Sequence, residues 1–189
     1  MVSRLFDLLR PDQYVTGLEC VDLDHLYEQG YRALLIDRDK TLTGWREQRV
    51  TPQKHEWLMD AVQRFEVCIV SNTIFIKGVN KLGEELDLPV VSRWGLGRKP
   101  MPGAIRAALE VVQVPPEKSV MIGDQLFTDI LGGNLMGLHT ILSDPVPGPE
   151  FFATRILRLV EGRFIAALGI HHTRTMTGVD GHDTDAELE

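Results

Sequence analysis

Cysteine is scarce in this chain, with two in 189 residues. Cys20 and Cys68 are too distant in sequence for a metal-ligand spacing and too few for a disulfide scaffold. Cys68 lies inside an apolar run, where a buried, reduced thiol is expected, so a cytoplasmic setting is the expectation. No stretch approaches the roughly 18 uninterrupted apolar residues of a spanning helix. The N-terminus, MVSRLFDLLRPDQ, carries acids and a proline where a signal peptide needs a long apolar stretch, so none is read. An excess of positive charge is missing too. Lys and Arg number 20 against 27 Asp and Glu, a formal net charge of −7. Five of the acids lie between Asp180 and Glu189, leaving a nearly neutral body of 22 acids and 20 bases. A nucleic-acid binder should show a clear basic excess, so that class is set aside.

What remains is ordinary for a globular protein with one real core: 43% hydrophobic and 25% charged residues. Short apolar runs recur and end in polar residues: Ala33–Ile36, Val67–Val70, Val120–Ile122 and Thr140–Leu142, with a further piece at Pro89–Ser92. Such runs suit parallel strands buried on both faces. Helices are predicted between them over Pro52–Phe65, Ile74–Leu86, Pro102–Val112 and Leu126–Met136, the first with Thr51 as N-cap and proline at the first helical position. The alternation predicts an α/β fold, a single doubly wound parallel sheet without a cap domain. Residues 1–30 are expected as a helical segment packed on the core, 31–170 as the domain proper, and 171–189 as a disordered acidic tail.

In open parallel sheets, ligands bind outside the carboxyl ends of the strands. Asp37, Ser71 and Asp124 each follow an apolar run, so all three are expected on one rim. In the segment Asp37-Arg38-Asp39-Lys40-Thr41, the first carboxylate is placed to attack phosphorus and form an aspartyl-phosphate. Asp39, two residues on, can protonate the leaving oxygen and later deprotonate water. Paired acids also tend to raise one pKa, which suits a proton donor. Alone, the segment is equally well a charged surface turn. In Gly123-Asp124-Gln125-Leu126-Phe127-Thr128-Asp129, Asp124 is a second strand-end acid. Asp37 and Asp124 can serve as Mg²⁺ ligands, with the Asp39 backbone carbonyl as a third. Asp129 can support Asp124 or hold a metal water, or be only an acid at a helix N-terminus. Ser71 and Asn72 can hydrogen-bond a phosphoryl group, although a plain N-cap explains the serine as well. Lys99 offers a compact positive charge of the sort that phosphoryl transfer requires.

The ordered set resembles the four motifs of the haloacid dehalogenase superfamily of phosphatases: DxDxT, a serine after a strand, a lysine, then GDxxxxD. The resemblance implies Asp37 as nucleophile, Asp39 as acid/base, Thr41 and Ser71 among the phosphate contacts and Lys99 as the stabilising lysine. It implies Asp124 as metal ligand and Asp129 as its supporting acid, with Mg²⁺ as cofactor. The strings GDQLFTDILGGNLMGLHTIL, PEFFATRILRLVE and RKPMPGAI look like the YqeG-like class IIIA branch, which is similar to the phosphatidylglycerophosphate phosphatases of mitochondria and plastids. That implies a phosphate-ester substrate, a membrane phospholipid in the sharpest form, and peripheral contact with the inner face of the membrane. The family usually reads DxDNTL, whereas this chain has Arg38 and Lys40. Two extra positive charges beside the site leave the identity of the substrate open, and can favour a polyanionic one.

Spacing adds that 33 residues separate Asp37 from Ser71 and 27 separate Ser71 from Lys99, too few for a cap once helices are subtracted. The site should be open to large substrates. From Glu150 to Leu168, the residues Phe152, Ile156, Leu159, Val160, Phe164 and Ala167 follow a helical apolar stripe, with Arg155, Arg158 and Arg163 largely off it. The stripe suits a helix covering the sheet or one resting on an anionic membrane; Leu5–Leu9 is a weaker candidate of the same kind. His171 and His172 carry no assignment. Two other classes compete. A phosphoacceptor receiver domain shares the sheet and an aspartate but lacks a second acid at the position of Asp39. The DKT of Asp39-Lys40-Thr41 is reminiscent of ion-pumping ATPases, but LTG follows and spanning helices are absent from the sequence.

Overall fold

The computed structural model describes residues 6–45, 47, 49–72, 76–93, 95–148 and 152–173. Strands β1 (Gln13–Val15), β2 (Ala33–Asp37), β3 (Glu66–Ser71), β4 (Val90–Ser92), β5 (Ser119–Gly123) and β6 (His139–Ser143) form one sheet in the order β1-β6-β5-β2-β3-β4. Every pairing is parallel. Parallel strands need covering on both faces, and alternation along β2 provides for it. Leu34 and Ile36 join one core cluster with Trp57, Leu58 and Leu82, from helices α2 (Pro52–Ala61) and α3 (Ile76–Leu86), which follow the short α1 (Leu23–Glu28). Ala33 and Leu35 join the opposite cluster with Ala104, Ile105 and Ala108 of α4 (Pro102–Val112). The predicted α/β architecture is therefore the observed one. Among the described residues, no separate folded unit is inserted between β2 and α2 or between β3 and Lys99.

Element ends differ from the sequence expectation in ways that have physical causes. Thr51 caps α2 by accepting from the Lys54 N–H, with Pro52 in the first turn, but the helix stops at Ala61. Residues 62–65 close in tight turns so that Glu66 can enter β3. Ahead of α5 (Leu131–Met136), the residues Leu126–Ile130 form a π-helical turn, a local widening frequent at functional sites. The N-terminal segment is not wholly helical: Gln13–Val15 adds an edge strand to β6, too short for any periodicity to announce it. Leu9 is buried in a third cluster with Leu126, Ile130 and Leu142; Leu5 lies outside the described residues.

The last helix, α6 (Phe152–Ala167), keeps the predicted apolar stripe at Phe164 and corrects it at Leu159 and Val160, while the side chains of Phe152 and Ile156 lie outside those described. Leu159 is 71% exposed and Val160 41%, whereas Glu161 is 4% exposed. Phe164, Ile165 and Leu168 pack on the third cluster. The helix is turned so that a polar pair, Arg158 and Glu161, faces the domain, which hydrophobic periodicity cannot foresee. The chain beyond it is fixed through residue 173. The Thr173 N–H donates to the Tyr14 carbonyl at 2.6 Å, and His172 stacks on Tyr14 at 4.0 Å while pairing with Asp144 at 3.1 Å. The acidic tail expected beyond this point lies outside the described residues.

Candidate active site

Sheet order places β5, β2 and β3 side by side, so the residues ending them meet. The chain progresses from β2 toward β4 on one side and resumes at β5 on the other, and this switch point opens the crevice in which such sheets bind ligands. Asp37 ends β2 and Ser71 ends β3, while Asp124 follows Gly123 at the end of β5. A side chain at Gly123 would run into the Asp129 carboxyl, so glycine is needed for Asp129 to fold back beside Asp124.

Asp37, Asp124 and Asp129 are all buried and each offers a carboxylate oxygen within 4.8 Å of the others. Lys99 reaches between two of them, its Nζ 2.6 Å from Asp37 Oδ1 and 2.7 Å from Asp129 Oδ1, and donates to the Val70 carbonyl at 3.1 Å. The Lys99 side chain is 1% exposed. Burial alone would lower its pKa, but Asp129 and Asp37 more than offset that and keep the ammonium charged. Asp129 also accepts from the Gln125 N–H at 3.1 Å, which shapes the turn after β5. Burial raises the Asp37 carboxyl well above the usual carboxylate range; Lys99 opposes the shift, and Asp129, Asp124 and Asp39 reinforce it. Burial likewise lifts Asp124 to about 6, against the opposing pull of Arg158. These acids are short of positive charge.

That shortage is the test of whether a cation fits. Three convergent carboxylates form an all-oxygen set of the kind that hard divalent ions prefer, and the raised pKa values of Asp37 and Asp124 mark the place where further positive charge is favoured. The cluster can therefore hold a divalent metal. The Asp39 side chain is not part of it: 28% exposed, it lies 3.4 Å from Arg38 Nη1, on the open side of the turn.

The remaining predicted residues sit at the site's margin in specific ways. The Thr41 hydroxyl is 3.4 Å from Asp124 Oδ1 and fully buried. Ser71 is fully buried as well. The Asn72 side chain faces the main chain of Lys99 instead of open solvent, donating to its carbonyl at 3.0 Å and accepting from its N–H at 2.8 Å. It thereby fixes where the lysine starts. Arg38 and Lys40, which the sequence sets beside the site, are both only 4% exposed. Lys40 takes a left-handed conformation, φ 74°, which costs a non-glycine residue about 1 kcal/mol. This turns its ammonium onto the carbonyls of Val146 and Gly148, at 2.7 and 3.0 Å. Arg38 donates to the Glu47 carbonyl at 3.0 Å. These cations tie loops to the turn after β2 and do not present charge to a polyanionic substrate.

Three site residues escaped the sequence reading. Lys54, 6% exposed, donates to the Thr41 carbonyl at 2.5 Å, and burial lowers its pKa. Arg158 of α6 pairs with Asp124 Oδ2. Glu161, pushed up to about 7 by burial, accepts from the Phe127 N–H at 3.1 Å. A lysine in the first turn of a helix and an Arg-x-x-Glu pair look solvent-facing in sequence, because only the tertiary fold brings them to the site.

Comparison with known proteins follows the same lines. A family model described as HAD-hydrolase-like matches residues 96–144. The probable phosphatase YqeG of Bacillus subtilis (strain 168) is 36% identical over 84% of this chain and 90% of its own length. The chloroplastic phosphatidylglycerophosphate phosphatase 1 of Chlamydomonas reinhardtii is 27% identical over 87% of this chain and 65% of its own. Among solved structures, an uncharacterized protein from Listeria monocytogenes serotype 4b shares the fold, with a TM-score of 0.52 and 18% identity, over 64% of this chain and 84% of that one.

Proposed function

The chain belongs to the haloacid dehalogenase-like phosphatases, in the branch of YqeG, and from that premise we propose a Mg²⁺-dependent phosphomonoesterase that converts phosphatidylglycerophosphate to phosphatidylglycerol. The observation that carries the chemistry is the Asp37 carboxylate at the end of the central strand, held 2.6 Å from a buried lysine, with Asp39 on the solvent side.

In the first step an Asp37 oxygen attacks phosphorus, forming an aspartyl P–O bond as the P–O bond to the leaving group breaks. The leaving oxygen takes a proton from the Asp39 carboxyl. In the second, the Asp39 carboxylate takes a proton from water as that water attacks phosphorus, and the bond to Asp37 breaks to release phosphate. Lys99 opposes protonation of Asp37 and aims its carboxylate, and faces the charge gathering on the phosphoryl oxygens. Ser71, at the end of β3, and Thr41, in the turn after β2, serve as further phosphate contacts, and Asn72 fixes the backbone of Lys99. Asp37, Asp124, Asp129 and the Asp39 carbonyl would hold Mg²⁺, which when bound offsets phosphoryl charge.

The lipid substrate is supported by similarity to a named phosphatidylglycerophosphate phosphatase across 87% of this chain and by the absence of a cap among the described residues. An open rim admits a headgroup that cannot leave its bilayer. No described helix is long and apolar enough to cross a membrane. Leu159, Val160 and Arg163, exposed together on α6, are the side chains we propose to meet the lipid surface.

Phosphate release tests this directly, with phosphatidylglycerophosphate in mixed micelles set against soluble phosphate esters, each with Mg²⁺ and with a chelator. The lipid should be the best substrate and the chelated enzyme inactive. Fast turnover of soluble esters with none of the lipid would sink the substrate assignment.

The cation has its own expected signature. Asp124 has a folded pKa of about 6, above the roughly 3.9 of an unfolded aspartate. Its contribution to stability is therefore complete below about pH 4 and lost as pH rises through 6, worth on the order of 3 kcal/mol. A cation binds the deprotonated cluster and restores what is lost. Mg²⁺ should therefore raise Tm by several degrees more at pH 8 than at pH 5, relative to a chelator. Equal shifts at the two pH values would contradict the assignment of the ion to this cluster.

A further inference from the structure

Each carboxylate of the cluster already faces a cation of the chain itself. Lys99 serves Asp37 and Asp129, and Arg158 serves Asp124. The Arg158 Nη2 lies against Asp124 Oδ2 and its Nη1 is 3.4 Å from the Asp124 carbonyl. The two cations differ in exposure. Lys99 is gripped by two acids, by the Val70 carbonyl and, through its main chain, by Asn72. Arg158 is 17% exposed and comes from α6, beyond the residues 96–144 that match the family model.

We propose that Arg158 is a positioning residue that holds the Asp124 carboxylate while no divalent cation is bound and is displaced when one binds, so that metal occupancy and the seating of α6 are coupled. The inference rests on the reading that this cluster takes a divalent cation. A dication bound to three carboxylates that lie within 4.8 Å of one another must approach the guanidinium already on one of them. Whichever Asp124 oxygen it takes, the repulsion opposes it, and Arg158 is the partner with room to leave. The consequence reaches the helix because α6 is fastened to the same turn at two more points. Glu161 accepts from the Phe127 N–H, and the Phe164 ring packs edge-on to Phe127 at 5.4 Å. Coupling of this kind is reciprocal: a cation that loosens α6 is itself bound more weakly while α6 is seated.

The sign of one measurement separates this role from a merely structural one, because a damaged site binds metal less tightly and a site freed of a competitor binds it more tightly. Mn²⁺ titrated into the metal-free full chain by calorimetry should bind Arg158→Gln about tenfold tighter than wild type, the scale of one charge-assisted pair. Arg158→Lys, which keeps the charge, should stay near wild type. In hydrogen exchange on the native chain, amides in 157–167 should exchange faster with Mn²⁺ than without, and this arm stands even should a variant fail to fold. Unchanged or weaker binding by a folded Arg158→Gln, or slower exchange of α6 with Mn²⁺, would overturn the proposal. Asp124→Asn distinguishes the two levels. If wild type shows no Mn²⁺ binding that Asp124→Asn loses, the cation reading falls and this inference with it. If that binding is seen and Arg158→Gln does not tighten it, only the inference falls.

Discussion

Asp37→Asn should reduce phosphate release by about a thousandfold or more, because an amide cannot form the aspartyl-phosphate on which both half-reactions depend. The expectation is sharper than a simple loss of activity. Asparagine is nearly isosteric with aspartate, and burial, reinforced by the surrounding acids, already pushes the Asp37 carboxyl toward its neutral form. The folded state should therefore tolerate the change, and its Tm in the presence of a chelator should hold or rise. Substrate binding should largely survive, so the loss should appear in kcat. Asp39→Asn should fail differently. It retains the nucleophile, so a substrate with a good leaving group can still phosphorylate Asp37, but no base remains to activate water. Acid quenching followed by peptide mass analysis should find phosphate on the peptide containing Asp37 in that variant and none in Asp37→Asn. Turnover within tenfold of wild type by a pure Asp37→Asn preparation would remove the nucleophile.

Most of the frame was legible because it rests on short-range rules. ALLI, VCIV and VMI are apolar without a break, and in a parallel sheet that means burial on both faces and a functional residue at the far end. Hence the sequence alone sets Asp37, Ser71 and Asp124 on one rim, and Lys99 and Asp129 close around them. Side-chain direction was not legible. Arg38 and Lys40 look like free charge beside the site, yet the left-handed turn at Lys40 and the nearby carbonyls draw both inward. Asn72 is taken up by the backbone of Lys99, a partner 27 positions away that only the sheet order supplies. Arg158 was hidden for a related reason. Hydrophobic periodicity assumes that the apolar side of a helix faces inward, whereas on α6 the need to neutralise Asp124 and to satisfy the Phe127 N–H turns Arg158 and Glu161 inward and leaves Leu159 outside. Buried charge breaks the binary pattern at the site, where function requires it to be broken.

The largest effect on stability is expected from Lys99→Met. Methionine matches the length of the lysine stem and keeps its packing, but it removes the cation between Asp37 and Asp129, whose side chains are 9% and 1% exposed. Breaking a buried pair by deleting one partner typically costs about 3–5 kcal/mol, which for a chain of this size is roughly 10 °C in Tm. The pH dependence gives the cause away. In wild type the Lys99 pKa is raised, so its contribution is fully present below the ordinary lysine value and remains constant between pH 5 and 8. In the variant nothing opposes the upward push on Asp37, and the stability it contributes when protonated is lost as pH rises. Protons can stand in for the missing ammonium at pH 5 but not at pH 8. Denaturant melts of the metal-free proteins should therefore show the gap between variant and wild type narrowing as pH falls from 8 to 5. A gap of the same size at both ends would mean that Lys99 contributes packing alone. The same variant should lose catalysis by at least about a hundredfold, and raising Mg²⁺ should recover stability before it recovers turnover, because a second cation can screen the acids but cannot take the place of Nζ beside Asp37.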